Sequence, residues 1–102
     1  MKLTANFSLE ELTASQIAAR KGIFNEPNDI QLSNLRRLAY MLQEIRNLLN
    51  VPIFINSGFR CKQLNDAVGS RDSSQHLKGC AADIRVSGHT PEQVIKRILE
   101  SG

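Results

Sequence analysis

Tryptophan is missing from this 102-residue chain, which has one tyrosine beside four phenylalanines. Five aromatics are too few to interleave with a basic stripe, so the stacking platform of a nucleic-acid binder is not there. Charge argues the same way. Thirteen Lys and Arg against ten Asp and Glu leave a net charge of only +3, and the basic pairs Arg20-Lys21, Arg36-Arg37 and Lys96-Arg97 are scattered. Such an excess suits an anionic polymer or a solvated surface alike, and no nucleic-acid partner is expected. Cysteine is also scarce. Cys61 and Cys80 cannot make a disulfide framework and lack C-x-x-C spacing; both are expected as small buried or half-buried thiols, with a single bridge left open. No apolar run approaches the ~20 residues of a membrane span, so no membrane partner is expected. The start, Met1-Lys2-Leu3-Thr4-Ala5-Asn6, has no apolar segment after its lysine and does not read as a signal peptide. If the protein works outside the cytoplasm, another route must deliver it.

What is present reads as one domain with an ordinary balance of 41% hydrophobic and 23% charged residues. Ser8-Leu9-Glu10-Glu11 is a capping box, preceded by Phe7 in the staple position. It opens a helix with Leu9, Leu12, Ile17 and Ala18 as the apolar side, stopped by Gly22; a break around Thr13-Ala14-Ser15 is the alternative. Asn28 or Asp29 caps a longer helix. Its Leu32, Leu35, Leu38, Ala39, Leu42, Ile45, Leu48 and Leu49 recur at helical spacing over about five turns, to a stop at Asn50. Pro52 to Asn56 reads as a short strand, Arg60 to Val68 as a helix with Leu64, Ala67 and Val68 on one side, and Gly69 to Gln75 as a loop. Cys80 to Val86 alternates as a second strand. Thr90-Pro91-Glu92-Gln93 opens a last helix with Val94, Ile95, Ile98 and Leu99 as its buried side. Two strands beside these helices predict an α+β domain with a small antiparallel sheet that looks one strand short.

The chemistry concentrates between Ser57 and Asp83. His76 and Asp83 stand seven positions apart with Gly79 between them. An imidazole and a carboxylate are standard zinc ligands, and a catalytic zinc takes three protein ligands plus water. Gly79 lets the backbone turn tightly and Ala81 leaves room. The competing reading is an ordinary polar cluster, with Asp83 pairing to Arg85.

Ser57-Gly58-Phe59-Arg60, followed by Ser74-x-His76-x-x-Gly79-x-Ala81-x-Asp83, resembles the zinc D-Ala-D-Ala carboxypeptidase family, which includes the vancomycin-resistance dipeptidases and phage cell-wall endopeptidases. Asn6-Phe7-Ser8-Leu9-Glu10-Glu11-Leu12 and Asn34-Leu35-Arg36-Arg37-Leu38 are similar to its small, phage-associated branch. The resemblance implies a hedgehog/D,D-peptidase-like fold, a Zn²⁺ cofactor and a peptidoglycan stem peptide as substrate. It implies His76 and Asp83 as metal ligands, Arg60 as the catalytic group holding the substrate carbonyl or oxyanion, and Ser57 and Ser74 as supports beside the substrate. Cys80 falls at a variable position. His89 lies in a turn where that family has no ligand, and is expected to face solvent.

The family's third ligand and general base come from a later Glu-x-x-His-type segment, commonly with a tryptophan before the histidine. Glu92 and Glu100 have no histidine three positions on. The resemblance therefore implies one of three things: a C-terminally incomplete D,D-peptidase-like domain spanning 1–102, a degenerate relative that keeps the fold, or a site completed by His89 or by a partner chain. As the chain stands, little or no turnover is expected. The rival from another class is a non-catalytic cell-wall-binding or structural module on the same fold. A monomer is the default, although an unfinished sheet edge could pair with another copy.

Overall fold

Oxygen-bearing side chains set where the helices start. In the computed structural model, which describes residues 1–101, the Ser8 hydroxyl accepts from the Glu11 amide while the Glu11 carboxylate accepts from the Ser8 amide, opening helix α1 (Leu9–Thr13). The chain leaves the helix at Ala14, and Ser15 caps a separate helix α2 (Gln16–Lys21) by accepting from the Ala18 amide. One continuous helix is thus replaced by its broken alternative, because Ser15 offers a fresh cap. Ile17, expected on the apolar face, is exposed, and Ala18 is buried instead.

Helix α3 (Asp29–Leu49) starts at an Asn28–Gln31 capping box and ends at Asn50, whose φ of 54° is left-handed. Its 21 residues span about 32 Å. Leu35, Leu38, Ala39, Leu42 and Leu49 are buried, with Leu32, Ile45 and Leu48 half-buried at the edges of the stripe. These residues close over Phe7, Leu12, Phe59 and the inner face of the sheet to form one core.

That sheet has two strands, as expected: β1 (Ile53–Ser57) runs antiparallel to β2 (Asp83–Val86). Ile53 pairs with Val86, Phe54 with Arg85 and Ile55 with Ile84; a bulge at Asn56 then brings Ser57 opposite Asp83. The second strand is shorter than expected, and Cys80–Ala82 lead into it without regular structure. Cys80 is exposed and Cys61 half-buried, both as free thiols, so the buried expectation fails for Cys80.

Between the strands lie helix α4 (Lys62–Ala67) and a 3-10 turn at Gln75–Lys78. Leu64 is buried as expected, but Ala67 and Val68 are exposed and Asn65 takes the second inward place. Its amide donates to the carbonyls of Ser70 and Arg71, which ties the following loop to the helix. Helix α5 (Pro91–Glu100) has the Thr90 cap, the Pro91 start and the Gln93 box that the sequence predicts. Its buried side is corrected: Ile95 and Leu99 are 58% and 75% exposed, Ile98 is also exposed, and only Val94 packs against the core. The helix lies against α3 and β2 along its Val94 edge alone.

Candidate active site

Every element that positions the site meets at the end of β1. After Ser57 the chain passes under α1, and a Cβ on Gly58 would lie 2.3 Å from the Leu12 carbonyl oxygen. Only glycine fits there. The next amide, of Phe59, donates to that same Leu12 carbonyl at 2.7 Å. Asn25 fastens the same corner: its amide donates to the carbonyls of Thr13 and Phe59, and its oxygen accepts from the Cys61 amide, all at 2.8 Å. Nothing in the sequence marks Asn25 beyond its place in a loop, since its partners lie 12 to 36 residues away.

His76 sits in the 3-10 turn, which Ser74 opens by accepting from the His76 amide. The turn ends at Gly79, with φ of 76°. A Cβ there would also meet the Gln31 carbonyl at 2.7 Å, so both backbone handedness and close approach to α3 demand glycine. Gln31 and Asn34 of α3 donate to the carbonyls of Leu77 and Lys78, fixing the turn from its other side.

The imidazole of His76 is buried, with Nδ1 2.6 Å from the Gly58 carbonyl oxygen. A carbonyl only accepts, so Nδ1 carries a proton, and in the neutral form of the ring the lone pair is on Nε2. Nε2 points toward Asp83 Oδ2 at 3.6 Å, too long for a direct hydrogen bond. A ring nitrogen and a carboxylate oxygen thus face each other across a short gap. A metal cation, or a proton on Nε2, satisfies such a pair, and the Nδ1-to-carbonyl bond is the orientation that metal-binding imidazoles use. Asp83 is 66% exposed, open to solvent on its free side. It makes no ion pair with Arg85 among the described residues, because Arg85 stacks over its cross-strand neighbour Phe54 at 5.1 Å.

Arg60 approaches from the chain after β1. Its amide donates to the His76 carbonyl at 3.1 Å, and its Nη2 reaches the Ser74 and Ser70 hydroxyls at 3.3 and 3.4 Å. Its Nε is buried without a hydrogen-bond partner. Four of the five residues singled out from sequence, Arg60, Ser74, His76 and Asp83, are therefore connected through one cluster, and Ser57 joins it as the strand partner of Asp83. Ser70 is an addition that the sequence did not reveal. Beyond Arg60 an open groove of about 780 Å³ runs between β1, α2 and α4. His89 is half-buried, with Nδ1 against the Ser87 carbonyl. It lies past the far end of β2, roughly 10 Å of strand from Asp83. Among the described residues no third His, Cys, Asp or Glu joins His76 and Asp83.

The small α+β scaffold thus brings the His76 ring nitrogen and the Asp83 carboxylate face to face, with Arg60 on the adjoining stretch of chain. A family model described as Peptidase M15 matches residues 5–102, and the chain belongs to that family. No curated protein and no solved structure matches the chain.

Proposed function

We propose that this domain acts on the stem peptides of peptidoglycan as a zinc-dependent D,D-peptidase of the M15 type, with His76 and Asp83 as two of the metal's protein ligands. The observation that carries the reading is that His76 Nε2 and Asp83 Oδ2 face each other at 3.6 Å. When bound there, zinc would supply Lewis acidity, polarising a peptide carbonyl and making water nucleophilic near neutral pH.

The chain's own residues divide the remaining work. The Gly58 carbonyl holds the His76 ring at one angle and in one tautomer. Arg60, whose amide bonds to the His76 carbonyl, keeps a fixed positive charge, and the Ser70 and Ser74 hydroxyls steady its Nη2, which suits a developing oxyanion. Ser57, across the bulge from Asp83, lines the groove where a substrate chain would lie. A third ligand and a glutamate base are not clustered with His76 and Asp83 among the described residues, so zinc is held weakly and turnover by this chain alone is slight. That same shortfall favours a second reading, a peptidoglycan-binding module without catalysis.

The test is zinc titration calorimetry together with hydrolysis of acetyl-Lys-D-Ala-D-Ala, for the chain and for His76→Ala and Asp83→Asn. Zinc binding lost in both variants supports the metal site. Turnover that survives the loss of His76 would sink it. Binding of purified peptidoglycan unchanged by chelator and by both substitutions would establish the second reading.

A further inference from the structure

The two-stranded sheet leaves one edge of β1 unpaired, and the register tells which backbone groups it presents. The Ser87 amide donates to the Pro52 carbonyl just before the first strand pair. In an antiparallel ladder hydrogen-bonded pairs alternate with non-bonded ones. Phe54 and Arg85 are therefore the next bonded pair, while Ile53 and Ile55 turn their N–H and C=O groups away from β2. Ile55 lines the groove beyond Arg60, and no loop or side chain among the described residues hydrogen-bonds to its amide or carbonyl. The bulge at Asn56 follows immediately, the kind of irregularity that re-aims a strand beside a site.

The opposite wall of the groove is uneven. Ala14, Ser15 and Ala19 leave room between the longer Gln16 and Ile17, all at the α1–α2 junction or on α2. Arg60 is the one charged residue among its lining residues, and its buried Nε has no partner. The groove thus offers an open strand edge, room at Ala14 and Ala19 opposite, and a cation at Arg60. An extended peptide satisfies all three: its backbone pairs with Ile55, its small side chains clear the alanines, and an anionic or carbonyl oxygen meets Arg60.

We infer that the free edge of β1 at Ile55 is a strand-docking site for an extended peptide with small side chains, whose oxygen-bearing end points to Arg60. As a statement about how substrate lies in the site, this rests on the peptidase reading above. It predicts a binding mode that can be observed without catalysis.

The experiment titrates acetyl-Lys-D-Ala-D-Ala into the metal-free chain, following amide hydrogen exchange and chemical shifts by NMR. Exchange at the Ile55 amide should slow at least ~5-fold on binding, the effect expected of one added backbone hydrogen bond. Ile55→Pro deletes an amide that the β1–β2 ladder does not use, so the sheet should survive. Ala19→Trp fills the groove from a solvent-exposed helix position. Each should weaken peptide binding about tenfold or more, whereas Ile55→Val, which keeps the amide, should not. A folded Ala19→Trp that binds as the parent does overturns the inference, and so does an Ile55 amide that stays unprotected at the highest soluble peptide concentration. Protection that appears without peptide and grows with protein concentration overturns it too, in favour of pairing between two copies of the chain. Slowed exchange at Ile55 in a chain whose zinc binding is unchanged by His76→Ala and Asp83→Asn would refute the peptidase reading alone. Hydrolysis with Ile55 unprotected would refute only the docking mode.

Discussion

The His76 ring is fixed by the backbone of Gly58, whose carbonyl oxygen lies 2.6 Å from Nδ1. That carbonyl can sit there because Gly58 passes against Leu12 with no side chain. One residue thus serves both packing and the orientation of the His76 ring. Gly58→Ala forces a Cβ toward a backbone oxygen 2.3 Å away, and overpacking of this kind costs about 1–3 kcal/mol. Urea unfolding should show that loss. Zinc affinity should fall about 10-fold or more, since the carbonyl partner of the ligand moves with the backbone. Unchanged affinity in a folded Gly58→Ala chain would show that His76 is positioned by something else.

Arg60 is held through one nitrogen, Nη2, which donates to hydroxyls on two residues of the following loop. Arg60→Lys keeps the charge and loses the paired geometry. Zinc affinity should stay at the parent value while affinity for acetyl-Lys-D-Ala-D-Ala drops about tenfold, and residues 70–74 should exchange their amides faster. Calorimetry and NMR read these separately. A variant that binds peptide as tightly as the parent would mean that charge alone suffices.

Asn25 ties the end of α1, the residue before Arg60 and the start of α4 with three hydrogen bonds. Truncation leaves two carbonyls and one amide short of a partner in a half-buried corner. Asn25→Ala should cost about 1–3 kcal/mol in denaturant unfolding. Asn25→Asp, which can accept from Cys61 but cannot donate, should recover only part of it. Full recovery by aspartate would place the whole effect on the Cys61 bond.

The loop that carries Ser70 and Ser74 is clamped from outside by Lys62, whose ammonium reaches Asp66 at 2.9 Å and Asp72 at 3.0 Å. Hydrogen bonds to Asp66 and then Asp72 hold the Lys62 pKa above the ordinary lysine value. A raised pKa stabilises the fold fully below the unfolded-state value, and that contribution is lost as pH rises through the folded one. The clamp is therefore intact at neutral pH, and its lysine lets go in alkali. Lys62→Met should remove the loss of loop protection that deprotonation of Lys62 causes in alkali. High salt at neutral pH should loosen the same loop, because all three groups are exposed. A loop indifferent to salt and to Lys62 would be held by Asn65 alone.

How much of this was legible depends on the range of each interaction. The capping boxes at Ser8, Asn28 and Thr90 involve residues three apart, and all three helix starts stand where such oxygens occur. The long stripe on α3 also reads directly, because helical periodicity repeats the same burial many times. At α5 the same signal misleads. Its apolar stripe is real, yet periodicity reports which side of a helix is apolar and not whether a neighbour covers it.

Sequence alone determined the α+β class and the helix boundaries set by caps and glycines, because residue chemistry and short-range spacing suffice for those, while Arg60, His76 and Asp83 stand out through the likeness of their motifs to a known family. Tertiary structure decided that His76 Nε2 faces Asp83, that Asn25 and Ser70 bond to the stretch that carries Arg60, and that Ile55 shows a free strand edge to the groove. Those relationships join segments brought together only when α1, α3 and the sheet close on one core, and a linear pattern carries no record of that closure.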